Sequence, residues 1–583
     1  MNLRKLLVAA LTLLGLAEGA WAVPAYPGKI RVRQADGTTL IICIHGDEHT
    51  NYTTTDDGFP ILLNPTSGNY EYATLRHGTL CASGITAADA SLRSDRDRRF
   101  LSTVDKTTMA SALRKRRLGL SALNEKADLR KTGRNPRRTL VNNFPHMGEQ
   151  RSLVILMEFN DKRFTSMAHP QQYYADAMNQ PGFTAANGAN GSVRDFFLAS
   201  SAGRFRPTFD VYGPVRINYG QHDAGQGTYD TEVNMGTFVK AAIEGLDDQI
   251  DFSQYDHDGD GYVDNVYIYY AGVGSADSRD AETIWPHAYD MQGWGIDVTT
   301  NDGVKIGSYT CSNEVDGYRS GNLTAGIGTF VHEFGHCLGL ADHYDTSNSW
   351  AKYTPDCWDT MASGSYNNDG NTPPLYSSFE RCELGWLEPE DLTAEADTVN
   401  RLPNLGDSNK AYLIRVPGVD SEYFLLENRQ QKGWDAYLPA SGLLVWHIDD
   451  DPEVWAKSEV NNTPAHQHVD IVEANGKQSG NTFYYKGVPF PGANHVTSHA
   501  FVSWDGDPLL DIDSIAVADS VVTFCVAGVE TGIVQPFGSM AEGHRDGTAD
   551  NRVYDLMGRQ VNSRSAKGIL IRKVNGKMMK VAQ

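Results

Sequence analysis

Apolar and polar positions divide the chain into stretches of different texture. From residue 23 to about 91, short apolar runs alternate with turn formers. Residues 39–44 read as a buried strand, and Asp56, Asp57 and Gly58 as a turn, which predicts a small β-rich module. From 92 to 138 charge replaces periodicity, as expected of a partly helical linker open to proteases. A continuous apolar run at 153–159 predicts a buried strand. Ser192 is placed to cap a helix through Phe196, Phe197 and Leu198 that stops near Gly203. Residues 235–246 predict a second helix, 263–270 a second buried strand and 326–340 a third helix. Strands alternating with helices predict an α/β sheet domain. Beyond about Leu402 the helical signal fades. Short strands are predicted at 411–416, 423–426, 442–447, 469–472 and 521–526, the pattern of a β-rich, sandwich-like domain. A polar linker at 528–551 precedes two short β-like runs in 552–583. No repeat of 20–50 residues is evident.

Charge sharpens this division. The 583 residues carry a net charge of −22, which argues against nucleic acid as the main partner. Yet fifteen Lys/Arg stand against five Asp/Glu between Arg93 and Arg138, with Arg114 to Arg117 and Arg137–Arg138 as the densest clusters. A solvated linker would explain the block; so would a processing region. The first 22 residues have the build of a secretory signal: Arg4 and Lys5, an apolar run at 6–16, and Ala20 and Ala22 flanking Trp21 as a small-x-small cleavage site. No later run approaches the ~18 apolar residues of a membrane span, so the mature protein is expected to lack one. Seven cysteines are too few and too scattered for a disulfide scaffold. The four between 311 and 382 allow three pairings that sequence does not rank.

The densest chemistry lies on the third predicted helix. His332 and His336 stand four residues apart and project from one helix face, so both imidazoles can reach one zinc ion. Glu333 lies beside them without needing to ligate. Zinc brings the pKa of a bound water from ~16 to about 7, and Glu333 is placed to take its proton as general base. Gly339 allows the chain to turn out of the helix and bring round Asp342 as third ligand, leaving one position open. His343 is the rival ligand, and a distant glutamate such as Glu380 or Glu383 is a third arrangement. Met361, within the turn-like segment 357–363, completes the helix-plus-methionine-turn pattern of the metzincins, with aspartate at the place usually held by histidine.

These residues resemble the M6 family of bacterial metallopeptidases, the immune-inhibitor-A-like group. The resemblance extends to the blocks beginning at Val23, His45, Gly191, Ile284, Glu427 and Leu444, covering residues 23–527 in patches. It implies a secreted endopeptidase stored as a zymogen, with aspartate as third zinc ligand and an association with calcium. The expected architecture is an α/β metzincin-type zinc peptidase domain followed by a β-rich, sandwich-like domain, with an N-terminal β-rich prodomain. Its expected divisions are a signal peptide at 1–22, prodomain and basic processing linker at 23–138, catalytic domain at 139–400, β-rich domain at 401–527, and linker with a C-terminal sorting-like module at 528–583.

Other residues carry weaker signals. Asp256, Asp258, Asp260 and Asp264 place oxygens as a calcium-wrapping loop does, although Tyr267 stands where an EF-hand would close with glutamate. Trp285 and His287 either line the cleft or pack. Asp449, Asp450 and Asp451 form an acidic turn, with a cation site as the alternative. Cys43, Cys81, His45 and Asp47 are candidate inhibitory ligands from the prodomain. The C-terminal stretch resembles sorting modules recognised by an outer-membrane secretion machinery. The expected function is hydrolysis of peptide bonds in extracellular or host proteins at one catalytic zinc, by a secreted or cell-surface protein with structural calcium. The alternative is a surface adhesin or host-binding protein with a vestigial site.

Overall fold

The computed structural model describes residues 22–527 except 49–50, 77–78, 107–108, 110–143, 225–232, 348–352, 354, 393–397 and 478–481. It also describes the strands Val553–Tyr554, Gln560–Val561, Ile569–Val574 and Lys577–Ala582. The predicted secretory signal up to Trp21, Arg114 to Arg117, Arg137–Arg138 and the predicted linker at 528–551 lie outside the described residues.

The first β-rich stretch is a six-stranded antiparallel meander from Ile30–Arg33 to Thr79–Thr86, each strand beside its neighbour in sequence. Alternation along Thr39–Gly46 sends Leu40, Ile42 and Ile44 inward, the period-two pattern of a half-buried strand. The helix Asp95–Leu101 follows, closed by a capping box between Ser94 and Asp97.

The middle of the chain is an α/β unit. Its five-stranded sheet runs in the order His287–Asp290, Ser308–Val315, Val266–Val273, Gly148–Glu158, Phe205–Arg216. All pairings are parallel except that of the edge strand His287–Asp290. The apolar run of Gly148–Glu158 is continuous because both its faces are covered. Leu153, Ile155 and Met157 pack with helix Met235–Glu244; Val154 and Leu156 pack with helices Val193–Ser200 and Gly328–Leu338. Ser192 caps Val193–Ser200 in a box with Asp195, as predicted.

Two further sheets follow. One orders Glu390–Asp391, Tyr412–Arg415, Glu422–Arg429, Gly442–Asp449, Val469–Ile471; the other Thr398–Pro403, Val521–Ala527, Pro508–Ala518, His499–Val502. Leu443 and Val445 face Phe501, Ile512 and Phe524 of the second sheet, giving a sandwich core. Leu444, Trp446 and Ile448 point the other way and pack on Trp358 and Phe379. One strand thus joins the sandwich to the segment around Met361. The short helices Leu405–Ser408 and Pro452–Ala456 interrupt this region; at four and five residues they are too short for helical periodicity to show in the sequence. The four C-terminal strands pair antiparallel.

A buried ionic network strengthens that joint. Arg429 is fully buried and holds Glu427 at 3.0 Å and Asp435 at 2.8 Å. It also donates to the Leu375 carbonyl, while Asp435 accepts from Leu375 N and Glu427 from Ser378 N. The chain just after the methionine turn is therefore tied to the sandwich by charge-assisted bonds. Removing one partner of such a network leaves uncompensated buried charge, at a cost of about 3–5 kcal/mol. Arg429→Ala is expected to lower the free energy of unfolding by that order, read as a reduced urea midpoint, whereas an exposed control such as Lys432→Ala should leave it nearly unchanged.

Candidate metal centre

Every residue of helix Gly328–Leu338 except Thr329 is buried. Phe330, Val331, Phe334, Cys337 and Leu338 fill one core, so the helix is a packed strut rather than a surface element. It ends at Gly339, whose φ of 112° is left-handed; glycine tolerates this without a Cβ clash. Leu340 N then donates back to Gly335 O at 3.0 Å. The reversal carries Asp342 under the two imidazoles.

The geometry is that of a cage for one ion. Asp342 Oδ1 lies 3.2 Å from His332 Nε2 and 3.4 Å from His336 Nε2. Ligand atoms ~2.0–2.1 Å from a tetrahedral zinc stand about 3.3–3.4 Å apart. Each imidazole is aimed by its other nitrogen: His332 Nδ1 donates to Thr360 O at 2.8 Å and His336 Nδ1 to Leu340 O at 2.9 Å. Those bonds fix the tautomer that turns Nε2 inward. His332 Nε2 and Asp342 Oδ1 are buried without a hydrogen bond of good geometry among the described residues. Such atoms are costly unless an ion meets them, so the donor set fits zinc. Burial alone would raise the Asp342 carboxyl; the His336 and His332 rings outweigh it and hold it down at about 2.

His343 is turned elsewhere. Its Nδ1 meets Asp359 Oδ2 at 2.7 Å, and it forms a separate buried group with Asp359 and Glu380 behind the cage. Glu380 is thus drawn away from the two histidines, and neither it nor Glu383 joins the cage. The same backing holds the methionine turn: Asp359 Oδ1 accepts from Met361 N at 2.6 Å, and His343 N donates to Met361 O at 2.9 Å. Met361 is fully buried against the helix. A Cβ on Gly335 would stand 2.7 Å from Met361 Sδ and 2.8 Å from Tyr376 Oη, so close packing requires glycine between the two histidines.

Glu333 is fully buried beside the cage, and burial pushes its carboxyl up to about 8. Its Oε1 accepts from Val23 N at 2.5 Å. Residues 22–26 lie along the centre, held mostly through main-chain atoms. Tyr344 Oη donates to Ala22 O at 2.6 Å, Trp285 Nε1 to Val23 O at 2.9 Å and Tyr366 Oη to Pro24 O at 2.7 Å. Tyr26 N donates to Ala276 O, and its ring stacks on Tyr318 at 3.8 Å. The sequence reading missed this contact, and the only signal near it was the apolar-proline block at Val23. His45 stacks on Tyr52 and meets Thr54 Oγ1 instead. Cys43, Cys81, His45 and Asp47 join no candidate metal group among the described residues. Trp285 lines the cleft, while His287 packs behind it on Tyr309 Oη.

Asp256, Asp258 and Asp260 bring one oxygen each within 4.8 Å of the others. Asp264 is separate: it is buried, and its Oδ2 meets His257 Nδ1 at 2.5 Å.

Residues 143–387 match the family model of the immune inhibitor A peptidase M6 catalytic domain. Over this stretch, less than half of the chain, the protein is similar to the M6 peptidases. A 322-residue stretch is 24% identical to the pre-pro-metalloprotease PrtV of Vibrio cholerae serotype O1 (strain M66-2), covering 46% of this chain and 35% of that protein. A 160-residue stretch is 30% identical to immune inhibitor A of Bacillus thuringiensis subsp. alesti, covering 24% of this chain and 22% of that protein. The chain thus spans about a third or less of the length of these relatives. The match ends near Leu387, so the likeness to M6 peptidases rests on the α/β unit and the cage, not on the sandwich.

Gly335→Ala is expected to overpack the helix against Met361 and Tyr376, costing about 1–3 kcal/mol. A lowered thermal midpoint would show it; a midpoint equal to that of the parent protein would contradict the packing described.

Proposed function

We propose that this chain is a secreted zinc-dependent endopeptidase of metzincin type, made as a zymogen, that hydrolyses peptide bonds in extracellular or host proteins. One observation carries the reading: two imidazole nitrogens and one carboxylate oxygen converge at the spacing of a tetrahedral ion, with Glu333 buried beside them. His332, His336 and Asp342 would hold one zinc, with Met361 as the floor beneath it. When bound, the ion supplies an activated water and polarises the scissile carbonyl. Glu333 holds the proton taken from that water and passes it to the leaving amine. Its carboxyl, lifted by burial toward neutrality, suits both transfers. Tyr344 Oη, now on the Ala22 carbonyl, is placed to orient a substrate carbonyl once residues 22–26 have left.

Latency is supported by the same segment. With Val23 N on the catalytic base and Trp285 and Tyr366 holding the carbonyls of Val23 and Pro24, the centre is closed to another chain. Removal of a signal after Ala22 would make Val23 N a free amino group at that position. Cleavage in the basic block, near Arg117 or Arg138, would let the N-terminal module (residues 23–138) leave. In this reading Asp256, Asp258 and Asp260 bind a structural calcium, with Asp264 bracing His257, and the C-terminal strands serve as the sorting module.

Glu333→Ala is expected to lower kcat/KM on casein by about 10²–10⁴-fold, the usual span of general-base catalysis, with zinc content unchanged. An unaltered rate would refute the mechanism. Separately, the full chain beginning at Val23 should cleave casein far more slowly than the same chain after proteolysis between 114 and 138 and separation of the N-terminal module. Equal rates would contradict latency.

A further inference from the structure

A second group of metal-type ligands lies in the sandwich. Asp449, His466 and His468 each bring one ligand atom within 4.8 Å of the others. The ladder explains the meeting. Ile448 stands opposite Val469, so the next position sets Asp449 beside His468, and Asp449 N donates to His468 O at 3.0 Å. His466, two residues earlier, reaches Asp449 Oδ2 with Nε2 at 2.8 Å. The two imidazoles stack at 4.8 Å, and Trp504 stacks on His466 at 4.3 Å.

The surroundings are those of an oriented site rather than a chance surface cluster. Ser421 Oγ donates to Asp449 Oδ1 at 3.0 Å and fixes the carboxylate. His468 Nδ1 donates to the Asp449 carbonyl at 2.7 Å and lies 3.7 Å from Asp449 Oδ2. A ring N–H on a main-chain carbonyl and a hydrogen-bonded carboxylate are the outer bonds that hold metal ligands. The side chains of His466, His468 and Asp449 are 38%, 13% and 19% exposed, open enough for an ion to enter. Two imidazoles with one carboxylate suit zinc and its neighbours, whereas calcium and magnesium take oxygen shells.

We propose that Asp449, His466 and His468 bind a second divalent ion of the zinc class, separate from the catalytic centre. The ion would clasp the end of strand Gly442–Asp449 to the loop leading into Val469. That loop backs the catalytic turn: Asn461 Nδ2 donates to the carbonyls of His343 and Val469, both at 2.8 Å, and Thr346 Oγ1 donates to Ser458 O at 3.0 Å. His343 directly follows Asp342, so a clasped loop stiffens the wall behind the cage.

The test is zinc content of the full chain by mass spectrometry, in parent protein, His466→Gln and the double variant His332→Ala/His336→Ala. The double variant should retain about one zinc per chain, and His466→Gln should hold about one fewer than the parent. Zinc should raise the thermal midpoint of the double variant, a shift that adding His466→Gln removes. A double variant that binds no zinc, or a His466→Gln protein that binds as much as the parent, would overturn the proposal. The double-variant arm separates this from any failure of the catalytic-site reading.

Discussion

The molecule depends on a single convergence: two imidazoles from successive turns of a buried helix and a carboxylate returned beneath them by a left-handed glycine. A cation among the three donors would meet all of them at once, and the interior is arranged to keep them there. Thr360 and Leu340 carbonyls aim the rings, Asp359 and His343 hold the turn, and Met361 closes the floor against Gly335. The sandwich contributes by pinning the chain after that turn through Arg429, Glu427 and Asp435. The ligand geometry is thus a property of two packed units.

The N-terminal segment lies against the same convergence. Burial raises the Glu333 carboxyl, and Val23 N reaches it with main-chain geometry alone. Recognition through the carbonyls of Ala22, Val23 and Pro24 is recognition of extended backbone, which is also what a peptide substrate offers.

Much of this was legible from residue order. The four-residue spacing of His332 and His336 and the glycine at 339 are local signals, and the cage uses both. The continuous apolar run at 153–159 marked a strand covered on both faces. Other features depend on residues far apart in the chain. Asp342 and His343 are adjacent, and only the partner Asp359, sixteen residues on, turns the imidazole away. The need for glycine at 335 comes from Met361 and Tyr376, distant in sequence and packed against it. Among the four aspartates of the 256–264 loop, period-two spacing grouped Asp264 with the rest, but its burial against His257 is a tertiary fact. The acidic turn at 449–451 drew attention, while His466 and His468, brought in by strand pairing, carried no signal near it.

The ligand set can be seen directly by anomalous diffraction at the zinc edge from crystals of the full chain. A peak about 2.0–2.2 Å from His332 Nε2, His336 Nε2 and an Asp342 oxygen is expected, with His343 still on Asp359. A peak coordinated by His343 in place of Asp342, or no anomalous density between the two helical histidines, would contradict it.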